Sequence, residues 1–186
     1  RTLDVDAILS NLIEIIHSSI GVEKVYVSIL DYNEDSYHIV QSTSPLDEKS
    51  FVLNSDNPLV LMLARVKDCI LMEELRRSPV YKAMWENEKQ QLEALNIGCL
   101  LPLMDGEQLV GIVLLSKKEK GVAYNIQDLN YLQSLASVSS IAIKNSRLYE
   151  KAYWEARVDH LTGLLNRNYF FDTLEKELGY GKRTEK

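Results

Sequence analysis

The stretch CLLPLMDGEQLVGIVLL, residues 99–115, decides the fold. Two apolar runs, 99–104 and 109–115, flank the polar tetrad Asp105-Gly106-Glu107-Gln108, and this pattern predicts two strands joined by a four-residue hairpin loop. The second run carries no polar side chain on either face, as expected of a central strand covered on both sides. A sheet covered on both sides needs helices in front and behind, and the flanking sequence supplies them.

Upstream, 25–30 alternates as a strand, with Val25, Val27 and Ile29 on one face and Tyr26, Ser28 and Leu30 on the other. The polar cluster Asp31-Tyr32-Asn33-Glu34-Asp35 turns the chain, and 36–42 returns as its hairpin partner. Residues 44–56 read as loop. Asn57-Pro58 opens a short helix, with Asn57 as cap and Pro58 at the first helical position. A short buried strand is expected at 69–72. Ser78-Pro79 starts a helix running to about Leu95, with Val80, Tyr81, Met84, Trp85, Leu92 and Leu95 as its apolar side.

At the start, 3–20 predicts a helix with two apolar stripes, one through Ile8, Leu12, Ile15 and Ile16, the other through Leu9, Ile13, Ile16 and Ile20. An arc that wide either sinks deep into the fold or faces another subunit. At the far end, Asn125 caps a long helix with Asp128 in the capping-box position. No proline or glycine interrupts 126–162. The order is helix, hairpin, helix, strand, helix, hairpin, long helix: an α+β domain with helices on both faces of a sheet.

The composition narrows the function. The chain has 186 residues, 46% hydrophobic, with 8 glycines and 4 prolines, enough for one core and too few breakers for a low-complexity chain. Residues 1–143 carry 12 Lys/Arg against 20 Asp/Glu, whereas 144–186 carry 9 against 7. The acidic bulk argues against nucleic acid as partner, and the change near 144 marks a different kind of segment. No run approaches the roughly 20 apolar residues of a membrane helix. Two scattered cysteines fit a reducing cytoplasm, and three histidines with two thiols at no ligand spacing argue against a metal site. Arg1 at the first position suggests a piece of a longer protein, whose upstream part could hold a membrane anchor.

Residues 22–30, the 99–115 segment and YNIQDLNYLQSLASVSSIAIKNSRLYEKA (124–152) together resemble a GAF domain, over roughly 3–152. The most specific features are Pro102, Asp105 and Gly111 in the strand–turn–strand, and Ala142, Asn145, Leu148 and Tyr149 in the final helix. The resemblance implies a six-stranded antiparallel sheet, the first and last helices on one face, and a small-molecule pocket or its vestige on the other. A second resemblance begins where the first ends. ARVDHLTGLLNRNYFFDTLEKEL (156–178) is similar to the opening of GGDEF domains, the diguanylate cyclases. Asp159, Leu161, Thr162, Gly163, Leu164, Asn166 and Arg167 match its Asp-x-Leu-Thr-Gly-Leu-x-Asn-Arg pattern, with Asn168 in place of a common second arginine. The expected organisation is a sensory domain at 1–152, a helical connector at 153–158, and a GGDEF stub at 159–186. The stub is too short to bury the stripe of Phe170, Phe171, Leu174 and Leu178 by itself. The GG(D/E)EF signature is absent from the sequence, so the fragment carries no cyclase chemistry of its own.

The pocket is expected to take Tyr26, Ser28 and Leu30 from the first strand, Tyr81 and Trp85 from the helix above it, and Cys99 from a later strand. Its ligand stays unnamed. The resemblance tests three classes. The cyclic-nucleotide signature Asn-Lys…Phe-x-x-x-Asp-Glu is met only as Ser116-Lys117…Tyr124-x-x-x-Asp128-Leu129, without its first asparagine and last glutamate, and helix capping is the simpler role for Asp128. Bilin attachment needs a Cys-His pair, which neither Cys69-Ile70 nor Cys99-Leu100 provides. Haem needs an axial histidine, and of His17, His38 and His160 only His38 lies on a strand that could face a pocket. A free-methionine sulfoxide reductase of the same family would need cysteines in a loop context that Cys69 and Cys99 lack.

Along the last helix, Ile141, Asn145, Leu148 and Ala152 extend a three–four spacing from Val138, an imperfect coiled-coil seam in which Asn145 would fix register. A parallel homodimer through the first and last helices follows, passing a small-molecule signal to a cyclase. The alternative is a structural dimerisation module with no ligand.

Overall fold

The computed structural model describes residues 5–44 and 51–158, together with Thr162, Leu164, Asn166 and Tyr169. The chain divides into two compact units, 4–144 and 145–186, the latter including residues 1–3. Helix α1 (Val5–Ile16) ends in a π turn at His17–Gly21, where Gly21 takes a positive φ of 72°. Strand β1 (Val25–Asp31) turns through residues 32–35 into β2 (Ser36–Ser42). Asp31 Oδ1 accepts from the Asn33 N–H at 2.7 Å, which is why a polar cluster rather than glycine closes this hairpin.

Strand β3 (Val52–Asn54) pairs with β2 inside the stretch that reads as loop. Then α2 (Pro58–Val66) starts as its signal predicts, with the Asn57 side chain accepting from the Leu59 N–H at 2.8 Å. Strand β4 (Ile70–Leu71) leads directly into α3 (Met72–Arg77). The single helix expected over 78–95 is two: α4 (Pro79–Ala83) and α5 (Glu86–Ala94). Met84 and Trp85 between them are extended, and Glu88 accepts from the Trp85 N–H at 2.9 Å, so an internal acidic cap breaks the helix where no proline or glycine stands.

Strands β5 (Ile97–Asp105) and β6 (Gln108–Ser116) form the hairpin of the deciding stretch. Its loop is two residues, not four, because Asp105 still pairs with Gln108. Gly106 supplies the positive φ of 61° that a II′ turn demands at its first central position. The sheet order is β3-β2-β1-β6-β5-β4, antiparallel throughout, with β6 central as its apolar run predicts.

The two sheet faces carry separate cores. One joins α1 (Leu9, Leu12, Ile13, Ile16) and the final helix α6 (Ile126–Glu155) to Val25, Val27, Leu101, Val113 and Leu115. The other joins α2, α3 and α5 to Tyr26, Leu30, Tyr37, Leu100, Ile112 and Leu114. The β1 alternation is therefore observed as read. Each sealed Leu or Ile in these layers contributes about 1.5–3 kcal/mol of burial. The wide arc of α1 is only partly used: Ile15 remains 40% exposed.

The start of α6 is held by a reciprocal capping box. Asn125 Oδ1 accepts from the Asp128 N–H, and Asp128 Oδ2 accepts from the Asn125 N–H, both at 2.9 Å. Lys118 Nζ pairs with the same Oδ2 at 2.9 Å, with both side chains largely buried. Burial opposes the charged carboxylate, but the Asn125 N–H and the Lys118 ammonium outweigh it and hold Asp128 below its usual range. A lowered folded pKa means this stabilisation is complete above the ordinary carboxylate value of about 3.9 and is lost as pH falls through the lower folded value. Asp128→Asn is expected to cost about 1 kcal/mol at pH 7. The wild-type advantage in denaturant midpoint should vanish in the most acidic titration points; an equal advantage at pH 2 and pH 7 would reject the assignment.

In the second unit α6 ends at Glu155, and Asn166 ties the following turn back. Its Nδ2 donates to the Ala156 carbonyl at 2.6 Å and its backbone N–H to the Arg157 carbonyl at 2.7 Å. Apart from Thr162, Leu164 and Asn166, the motif read at 159–167, and the stub to residue 186 apart from Tyr169, lie outside the described residues.

Candidate functional site

The face opposite α1 and α6 is where the candidate ligand residues fall. Tyr26 and Leu30 are buried in its cluster, and Ser28 lies between them on the same strand face at 0% exposure. Tyr81 packs against the cluster, while its hydroxyl donates to Glu93 Oε1 at 3.2 Å. Glu93 also takes a two-pronged ion pair from Arg76, at 3.0 and 2.7 Å, so this end of the layer is tied down at the surface. Burial, then Glu93, raises the Tyr81 hydroxyl, and it remains a neutral donor.

Two expected members do not belong to the group. Trp85 is 76% exposed, because the break between α4 and α5 lifts it out of the helical stripe that would have pointed it inward. Cys99 is fully buried on the opposite face, in the cluster under α1 and α6. A register irregularity between Ile97 and Cys99 resets the alternation, so Leu100 rather than Cys99 shares the face of Tyr26 and Leu30.

Among the described residues, three buried polar groups of this layer have no hydrogen-bond partner: Ser28 Oγ, Asn57 Nδ2 and Gln91 Oε1. They belong to β1, the cap of α2 and α5, the elements that build this face. Leaving such groups unpaired costs about 1–3 kcal/mol each, which native proteins tolerate where water or a ligand completes the set. Asn57 was legible as a cap, and a capping asparagine that spends its oxygen still has an amide N–H₂ that needs its own partner. Gln91 gives no such sign within a run of charged and amide residues. Tyr37 was also missed: its hydroxyl donates to the Leu109 carbonyl at 2.7 Å across the sheet, and burial pushes its pKa up to about 12.

His38, the histidine weighed as an axial ligand, stands opposite Ile29 in the β1–β2 ladder and so on the other face. Its Nε2 lies 2.9 Å from Glu34 and 2.7 Å from Ser36 Oγ. Among the described residues no three His, Cys, Asp or Glu side chains gather as a metal site, and no helix is long and apolar enough to cross a membrane. The seam residues are open on α6: Ile141 is 60% and Leu148 55% exposed, Val138 68%, and Asn145 and Ala152 are exposed as well.

A six-stranded antiparallel sheet between two helical layers, with a long last helix, is the architecture of a sensory domain of signalling proteins. Residues 2–144 match the family model described as GAF domain, and the chain belongs to that family. It is similar to the formate hydrogenlyase transcriptional activator of Salmonella typhimurium strain SL1344, 25% identical over 162 residues, covering 81% of this chain and 22% of that protein. Diguanylate cyclase A of Treponema denticola is 25% identical over 132 residues, covering 70% of this chain and 33% of the cyclase. The chain thus spans between a fifth and a third of the curated relatives it matches. In fold it resembles the GAF domain/HD domain protein from Geobacter sulfurreducens, with TM-score 0.64, 15% identity, and coverage of 79% and 96% of the two chains.

Proposed function

We propose that this GAF domain is the regulatory input of a diguanylate cyclase, receiving a small molecule on the face built by Tyr26, Ser28 and Leu30 and acting through a parallel homodimer of α6. The observation that carries the reading is α6 itself. It runs 30 residues without a break and ends beside the segment that resembles a cyclase opening. Its apolar side chains Ile141 and Leu148 have no covering element among the described residues. The similarity to diguanylate cyclase A supports the same assignment.

The ligand half of the reading rests on Ser28 Oγ, Asn57 Nδ2 and Gln91 Oε1, one hydroxyl, one donor and one acceptor left over, among the described residues, in a largely apolar layer. A small neutral or zwitterionic metabolite offers matching groups. A dense apolar cluster on the same face favours the second reading, a dimerisation module whose former cavity is filled by side chains.

Sedimentation and thermal unfolding separate these. The chain is expected to sediment as a dimer at micromolar concentration, and Ile141→Glu with Leu148→Glu should yield monomers of unchanged circular dichroism. A panel of metabolites and cyclic nucleotides should contain a compound that raises Tm by mass action, an effect that Ser28→Val removes. A monomeric wild type would reject the dimer, and no shift across the panel would favour the filled module.

A further inference from the structure

The chain has two cysteines, and the fold brings them together. Strand β4 pairs with β5 so that Leu71 stands opposite Cys99 and Ile70 opposite Leu100. Cys69, the residue just before β4, packs on the same face of the sheet as Cys99. Both side chains share one cluster, Cys99 within it and Cys69 packed against it. Cys69 Sγ also lies 3.8 Å from the Leu129 carbonyl oxygen and 3.8 Å from Gln133 Oε1, both on α6. Gln133 in turn donates to the Lys67 carbonyl at 3.0 Å, just before β4.

Their access differs. Cys99 is sealed, and the Cys69 thiol beside it, followed by burial, pushes its thiol well up. Cys69 is half-buried, so a reagent meets it first.

We infer that Cys69 and Cys99 form an oxidisable dithiol, which a hydroperoxide closes to an intramolecular disulfide beneath α6. The Cys69 thiolate attacks one peroxide oxygen and the O–O bond breaks, giving a sulfenic acid and, with hydrogen peroxide, water. Cys99 then attacks the sulfenic sulfur. The S–S bond forms, the S–O bond breaks, and the leaving hydroxide takes the Cys99 proton as a second water. Two thiols lose two electrons and one peroxide gains them. Because Cys69 then changes its distance to Leu129 and Gln133, the first turns of α6 feel the oxidation.

The test treats the folded, reduced chain with hydrogen peroxide and measures intact mass after alkylation under denaturing conditions. The expected product takes up no alkylating agent, weighs about 2 Da less than the reduced chain, and yields a peptide linking Cys69 to Cys99. In Cys99→Ala, which lacks the second thiol, dimedone should trap a sulfenic acid at Cys69. Amide exchange in residues 129–137 should differ between the reduced and cross-linked forms. Two alkylatable thiols after treatment, or separate over-oxidation of each cysteine with no linked peptide, would overturn the dithiol. Identical exchange in the two forms would overturn its link to α6. The wild-type mass needs no variant to fold.

Discussion

Replacing Gly111 by alanine is expected to destabilise the domain by about 2–3 kcal/mol, which for a chain this size is roughly 5–10 °C in Tm. A Cβ at this position would meet Ile29 Cδ1 at 2.8 Å, the Ser28 carbonyl oxygen at 2.9 Å and Leu103 Cδ1 at 3.2 Å. The cause is local: Leu103 pairs with Gly111 and Met104 with Leu109, so Val110 is an extra residue in β6 and the strand bulges at the centre of the sheet. Gly111 is where the neighbouring strands close over that bulge. The Ile29 methyl can swing away, but the Ser28 carbonyl is backbone in the β1–β6 ladder and cannot. Ile29→Val in the Gly111→Ala background removes the first clash and leaves the second, so partial recovery is expected. Gly121→Ala is a graded control, since among the described residues nothing lies within 4 Å of its Cβ and its positive φ of 68° is what opposes substitution; it should cost about 1 kcal/mol. A Gly111→Ala protein melting within a degree of the parent would mean that the strands do not close there.

The same bulge explains what the sequence could and could not convey. Within one strand, alternation is local, and Tyr26/Ser28/Leu30 against Val25/Val27 is legible because nothing interrupts β1 on that side. Between strands, parity depends on register, and irregularities at Ile97/Cys99 and Leu103/Met104 shift it by one residue each. That is why Cys99 was expected beside Tyr26 and stands behind it. Caps were legible, since Asn57, Ser78 and Asn125 each act through a bond to a nearby N–H. The break at Trp85 was not, because its cap donor is a backbone N–H and its acceptor, Glu88, looks like any other glutamate of an exposed helix. β3 is not legible in the sequence because three residues carry too little alternation to separate an edge strand from loop.

In a parent protein in which α6 leads into a cyclase, one residue inserted between Lys151 and Arg157 is expected to change basal output on the order of tenfold, equivalent to about 1.4 kcal/mol in a two-state balance. The argument is geometric. One added residue turns everything beyond it by about 100° and advances it by about 1.5 Å. It leaves the Ile141 end of the helix where it was and carries whatever follows Arg157 out of phase with its copy in the proposed dimer. Cyclase chemistry joins two nucleotides across two copies, so orientation between copies enters the rate directly. Seven inserted residues rotate the helix by nearly two full turns, within about 20° of the starting phase, and should restore output although they lengthen the connector far more than one residue does. Length and phase thus make opposite predictions. If output instead declined steadily with the number of residues inserted, α6 would be a tether, and a ligand on the Tyr26 face could not act through its rotation. A phase-dependent pattern would place the signal in the helix register, where differential affinity of a ligand for two registers suffices to move the population between them.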